Sequence, residues 1–252
     1  MIHGDLFSKI DQVQDGSIDL VIMVPKWEKI ENPDRSWQDE KLINDQIEIL
    51  FRKLTKPKGQ VIFFVTMKQY PHIDHMMWGF KLKDFHIVVK GNVEIPENEH
   101  HPILNTEIIL VYAKEEANEI DLTFNPYQGT TIKTTDGAVT NFSKNTKDSG
   151  NVGYGRNWIK TTIDAPLKKK KVADEGMVIP NQKPLEILRE LIRVYTNPGD
   201  TILAPFAGLG NVLIAAKIEN RNAVGFEEEY IFFKEAVSRL DQATPQIDLF
   251  SN

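Results

Sequence analysis

From Thr201 to Leu240 the chain alternates strand and helix around a glycine-rich turn, and this stretch constrains the fold more than any other. TILAPF has the length and apolar character of a short buried strand, and Ala207-Gly208-Leu209-Gly210 forms the turn. Asn211–Glu219 reads as a helix, NAVGFE as a second strand and Glu229–Leu240 as a second helix. Successive strands joined by single helices belong in one parallel sheet covered on both faces. The rest of the chain repeats the pattern. SIDLVIM, at 17–23, is an apolar run behind the turn signal Asp15-Gly16, as expected for a buried strand. Residues 39–54 place Leu42, Ile43, Ile47, Leu50, Phe51 and Leu54 at helical spacing, stopped by TKPKG. Strands are expected at 60–66, 83–90 and 107–113, and a helix at 183–195 with Pro184 in its first turn. The fold class is therefore α/β, a doubly wound and mostly parallel sheet.

Size and composition agree with one such domain. The chain has 252 residues, 41% of them hydrophobic and 26% charged, which excludes a disordered or fibrous protein. It has no cysteine, so disulfides, thiolate nucleophiles and Cys-ligated metals are excluded. No apolar run reaches the roughly 18 residues of a membrane span, and MIHGDLFSKI lacks the pattern of a signal peptide. The expectation is a soluble, cytoplasmic protein with no membrane partner. The net charge of −6 argues against a nucleic-acid partner when taken whole, but its distribution does not. Between Tyr127 and Glu175, nine Lys/Arg stand against five acids, a +4 island in a −10 remainder. This island falls within residues 126–176, which interrupt the alternation with Pro, Gly, Thr, Asn and Lys, and an interruption of that length inside a compact domain reads as a functional insertion.

The glycine turn points to a ligand. It stands at the carboxyl end of a strand and opens a helix, where open α/β sheets bind ligands, and its glycines let backbone approach closely. Gly225-Phe226-Glu227 ends the next strand, where an acid can accept hydrogen bonds from ribose hydroxyls. A lone Gly-x-Gly is more often only a tight turn; strand, turn, helix, strand and acid together favour an adenosine-type cofactor.

IPNQKPLEIL, NPGDTILAPFAGLGN and GFE together resemble the DNA amino-methyltransferases acting on adenine N6 or cytosine N4, in the class whose catalytic motif precedes its cofactor motif. Those enzymes typically read HPTQKP, PGD-x-VLDPF-x-G-S-G-T and G-x-E. HGDLFSKIDQVQDGSIDLVIM and NTEIILVYAK are similar to other segments of theirs. The resemblance implies a Rossmann-like S-adenosylmethionine-dependent fold in four parts: residues 1–125 as its N-terminal half, 126–176 as an inserted target-recognition region, 177–240 as the cofactor half, and a tail at 241–252. It implies that Phe206, Gly208, Gly210, Glu227 and the turn Asn181-Gln182-Lys183 line the cofactor pocket, with Asp5 towards the adenine end. It also implies that double-stranded DNA meets the insertion, where Lys144, Lys147, Arg156, Lys160, Lys168, Lys169, Lys170 and Lys171 can neutralise phosphates. Tyr127, Phe142, Tyr154 and Trp158 could stack on bases. A solvated loop is the alternative.

The chemistry departs from the family. Where it reads Asp-Pro-Pro-Tyr, this chain reads Val24-Pro25-Lys26-Trp27. The carboxylate accepts the amine's hydrogens so that the nitrogen lone pair can meet the methyl group, and the ring stacks on the flipped base. Val24 cannot accept a hydrogen bond, and Lys26 adds positive charge where the attacking nitrogen becomes positive. Ala204, Leu209 and Asn211 replace an acid, a Ser and a Thr in the cofactor motif, so polar contacts there are expected to be lost and S-adenosylmethionine binding to be weakened. Two motifs altered together point to a catalytically inactive member serving as a regulatory or partner subunit, within a homo- or hetero-oligomer. The alternative is an active site-specific DNA amino-methyltransferase with an atypical motif. The tail, Gln246-Ile247-Asp248-Leu249-Phe250, resembles the peptide by which replication proteins dock into the bacterial sliding clamp, with Gln246, Leu249 and Phe250 as its anchors; an apolar pair folded back on the domain is the alternative. His72 and His75 have the spacing of a metal pair but no evident third ligand, so no metal is expected.

Overall fold

The computed structural model describes residues 1–24, 49–54, 57–67, 69–89, 106–125, 132–133, 139–140, 158–160 and 182–245. In chain order the elements are β1 (Ile2–His3), α1 (Leu6–Lys9), β2 (Leu20–Met23), α2 (described over residues 49–53), β3 (Gln60–Val65), α3 (Tyr70–Met76), β4 (Phe80–Val89) and β5 (Thr106–Lys114). They continue with β6 (Ile132–Lys133), β7 (Val139–Thr140), β8 (Trp158–Lys160), α4 (Leu185–Tyr195), β9 (Thr201–Ala204), α5 (Asn211–Ile218), β10 (Asn222–Glu227) and α6 (Tyr230–Gln242).

Eight strands form one sheet in the order β1-β10-β9-β2-β3-β5-β4-β8. Among the described residues of this sheet, only the two pairings made by β5, with β3 and with β4, are antiparallel. Alternate residues of the central strands enter opposite cores. Val21 and Met23 of β2, with Val61, Phe63 and Val65 of β3, join Leu6, Leu50 and Ile73 on the face of α1, α2 and α3. Leu20, Ile22, Ile62 and Phe64 join Leu188, Ile192, Leu213 and Ala216 on the face of α4 and α5. With both faces covered, these strands have no polar side to show, which is why LVIM and VIFFV read as unbroken apolar runs.

The two halves of the chain meet at the centre. β9 leads through α5 to β10 on one side, while β2 leads through α2 to β3 on the other, and β2 pairs directly with β9. Strand connections diverge between them, so the crevice above the carboxyl ends of β2 and β9 is the topological switch point. Where they are described, the expected elements match closely, with NAVGFE forming β10 over its whole length; most of the helix expected at 39–54 lies outside the described residues. Two differences stand out. Ile2–His3 forms an edge strand on β10, which two residues could not announce by periodicity. The insertion is not wholly irregular: its β8 pairs with β4, and β6 pairs with β7. Trp-Ile-Lys has the aromatic and β-branched character that fits a pleated edge. Among the described residues no helix is long and apolar enough to cross a membrane, and no three His, Asp or Glu side chains converge as metal ligands.

A polar triad, with Tyr195 and His86 buried and Asp84 half-buried, fastens α4 to β4. The Tyr195 hydroxyl donates to Asp84 Oδ2 at 3.1 Å, and His86 Nε2 lies 2.6 Å from the same hydroxyl. Tyrosine has one proton to give, so with that proton directed to Asp84 the His86 Nε2–H is the donor to the hydroxyl oxygen. Burial lowers the His86 pKa below the ordinary 6.5, with Asp84 opposing, and raises the Tyr195 pKa for the same reason. A histidine depressed in the folded state takes its proton more readily when unfolded. Its stabilising contribution is therefore present above about pH 6.5 and lost as pH falls towards the folded value. The denaturant midpoint should drop between pH 8 and pH 5.5, and the drop should be shallower in His86→Gln; equal slopes in the two proteins would refute this assignment.

Candidate functional site

The glycine turn and Glu227 are built as a single unit. β9 ends at Ala204, which is fully buried, and the chain turns through Gly208 and Gly210 at φ of +53° and +77°. Only glycine adopts such angles without strain. A Cβ on Gly210 would lie 3.1 Å from that of Ala236, so this glycine also lets α5 start close against α6. Gly208 has no atom within 4 Å of where a Cβ would stand, and the turn is therefore open at that point. Glu227, only 5% exposed, closes the back of it. Its Oε2 accepts from the Gly208 amide at 2.8 Å and its Oε1 from the Glu229 amide at 3.0 Å. A carboxylate offers about four acceptor positions, so two remain after these bonds. Beside it, the Ala207 amide donates to the Phe226 carbonyl and the Gly4 amide to the Glu227 carbonyl, both at 2.8 Å.

The other expected site residues arrange around this unit. Phe206 is partly buried against the core on the α1–α3 side. Asp5 follows β1 at the same edge of the sheet and caps α1, accepting from the Ser8 amide at 2.8 Å. Gln182 donates to Asn211 Oδ1 at 2.8 Å. Lys183 forms an ion pair with Glu107, with both side chains about nine-tenths buried, and its ammonium stands 5.1 Å from the Phe64 ring centre. Because β5 runs antiparallel, Glu107 near its start lies at the same edge as the ends of β2 and β3. Val24 follows β2 directly at the switch point and packs on the core of the α4/α5 face. Asn181, the remaining motif residues Pro25, Lys26 and Trp27, and the tail anchors Gln246, Leu249 and Phe250 lie outside the described residues. So do Lys144, Lys147, Arg156 and Lys168 to Lys171, while Lys160 lies in β8.

Two of the three substitutions in the cofactor motif are apolar in fact as well as in sequence, since Ala204 and Leu209 are both buried. Asn211 is different. In place of lost polarity it joins three groups: Oδ1 accepts from Gln182 and, at 2.7 Å, from Arg239 Nη2, while Nδ2 donates to the Lys183 carbonyl at 2.8 Å. Arg239 also donates to the Leu209 carbonyl at 2.6 Å. Burial pulls the Arg239 pKa down and nearby Glu235 counters it. Sequence reasoning missed Arg239 and Glu107, and no local pattern marks either: each meets a partner far away along the chain.

Residues 18–238 match the model of a family described as DNA methylase, N6_N4_Mtase. The chain is similar to the DNA adenine methyltransferase YhdJ of Escherichia coli K12, at 25% identity over 97% of this chain and 83% of that protein. Among solved structures it superimposes on the M1.HpyAVI-SAM complex with a TM-score of 0.64, at 24% identity over 94% of this chain and 97% of the other. The cytosine-N4-specific PvuII DNA methyltransferase gives a TM-score of 0.66, at 14% identity over 95% of this chain and 85% of its own. Both likenesses concern the fold.

Glu227→Ala leaves the Gly208 and Glu229 amides without their acceptor. It should cost about 1–3 kcal/mol, the net worth of two partly buried hydrogen bonds to a charged acceptor, in urea denaturation. A loss below about 0.5 kcal/mol, less than the net worth of one such bond, would mean that the carboxylate does not hold the turn.

Proposed function

Because the chain belongs to the N6_N4_Mtase family of DNA methylases, we propose that it is a DNA-associated member that keeps an S-adenosylmethionine pocket and has lost methyl transfer, acting as a regulatory or partner subunit. The observation that carries this reading is the contrast between neighbouring strand ends. At the ends of β9 and β10 the open Gly208 turn and the Glu227 carboxylate are intact; at the end of neighbouring β2 stands Val24.

The residues present fit the cofactor at the first of these places. Gly208 leaves room for a ligand against the backbone, and Glu227 has acceptor positions left for ribose hydroxyls. When bound, S-adenosylmethionine supplies an electrophilic methyl group. This chain offers little to help an amine attack it. Val24 accepts no hydrogen from an exocyclic amine, and removing one preorganised stabilising group of this kind costs on the order of 10²–10³ in rate. Lys26 would further oppose the positive charge that develops on the attacking nitrogen. Ala204 brings no acid to the turn, which weakens cofactor affinity without removing the glycine cradle. The near end-to-end likeness to a named adenine methyltransferase favours a second reading, an active enzyme with an unusual acceptor.

Titration calorimetry should detect S-adenosylmethionine binding, and tritiated methyl transfer to mixed-sequence duplex DNA should stay at the level of a heat-killed control. The double variant Val24→Asp with Lys26→Pro, which rebuilds the acceptor, should gain activity. Incorporation by the unmodified chain well above the control would establish the active reading instead.

The basic insertion supports DNA contact through phosphates, and the tail supports docking to a sliding clamp. Lys168 to Lys171 changed together to Ala should weaken duplex binding and lower the slope of log affinity against log salt by up to about 3–4, since each phosphate contact contributes about 0.9. An unchanged slope speaks against the insertion. Truncation after Thr244 should abolish capture by purified clamp, and undiminished capture removes the tail from this reading.

A further inference from the structure

The segment 182–184 lies along the carboxyl edge of the sheet as a strap, fastened on two sides through Gln182 and Lys183. On one side the Lys183 ammonium pairs with Glu107 of β5; on the other the Lys183 carbonyl and the Gln182 side chain are held by Asn211, the first residue of α5. Between β5 and the start of α5 in the sheet order lie β3 and β2. The strap therefore spans the ends of these two strands on the α4/α5 face, with the Phe64 ring beneath Lys183 and both Val24 and Leu185 packed on the same core. This is the rim of the switch-point crevice.

Asn211 is the only point among these contacts where three segments distant in sequence converge. Its oxygen uses both acceptor positions, one for Gln182 of the strap and one for Arg239 of α6. Its nitrogen donates to the strap backbone. Arg239 grips the glycine turn at the same time, through the Leu209 carbonyl. The carboxamide suits this work because donor and acceptor sit on separate atoms. A threonine hydroxyl, the family's usual group here, would have to gather all three partners on one oxygen.

We propose that Asn211 is a positioning residue that clasps the strap to the glycine turn, so that a nucleoside-type cofactor enters and leaves the crevice only as the clasp opens. The inference rests on the cofactor reading given above. It makes the substitution at 211 a device that slows exchange, in a pocket where Ala204 and Leu209 have removed direct polar contacts.

Asn211→Asp isolates the clasp. It keeps an acceptor for Arg239 and Gln182, but turns the donor facing the Lys183 carbonyl into a second acceptor, so the strap loses its backbone tie to residue 211 while the Gln182 tie and the α6 anchor remain. Release of tritiated S-adenosylmethionine into an unlabelled chase should be about tenfold faster in the variant, the effect of one lost hydrogen bond. Amide hydrogen exchange at 182, 183 and 185 should accelerate by a similar factor, while the thermal midpoint stays within a few degrees because the α6 anchor persists. Gln182→Ala should move both rates the same way by less. Wild-type binding with release and strap exchange unchanged in Asn211→Asp overturns the clasp and leaves the cofactor reading standing. A strap freed without faster release overturns the gating. A wild-type chain that binds no S-adenosylmethionine overturns the cofactor reading, and the gating with it.

Discussion

Burial of the central sheet on both faces is the constraint on which everything else here depends. β2, β3 and β9 place alternate residues in two separate cores, so nearly every side chain along them must be apolar, and polar chemistry is confined to the turns beyond their carboxyl ends. Four strand ends on this sheet, those of β1, β2, β9 and β10, carry Asp5, Val24, the glycine turn and Glu227. The scaffold can therefore survive changes at those ends that abolish a reaction, because the residues that hold the fold and those that perform chemistry are largely different.

Glu227 belongs to both groups. Its carboxylate ties the Gly208 amide to the start of the following loop, so it shapes the turn whether or not it serves a cofactor. This explains how an acid of this kind can persist in a chain whose neighbouring catalytic motif differs from the family's: removing it would deprive two backbone amides of their acceptor as well as any ligand. Val24 has no such second task beyond packing on the core, which an apolar side chain performs well.

Much of the fold was legible in the sequence, for a physical reason. Runs such as QVIFFV and LVIM announce strands covered on both faces, and LEILRELIRVY carries an apolar stripe at helical spacing that buries Leu188, Leu191 and Ile192. The glycine turn was legible because positive φ demands glycine. The edges were not. Ile2–His3 and Trp158–Lys160 become strands only because β10 and β4 offer unpaired backbone, which no pattern within two or three residues can reveal. The antiparallel course of β5 was likewise invisible, since a strand buried between two others reads the same in either direction.

Within the site, residue type alone determined the absence of an acceptor at Val24 and the presence of an acid at Glu227, because hydrogen-bonding capacity belongs to the side chain wherever it is placed. Asn211 shows what only the tertiary structure decided. As a letter in a motif it stood for lost polarity; in the fold it faces Gln182, the Lys183 carbonyl and Arg239, brought to it from 29 and 28 residues away on either side of α5. A side chain's capacity to donate or accept is written in the sequence. Which groups use that capacity depends on distances across the sheet, which only the folded chain sets.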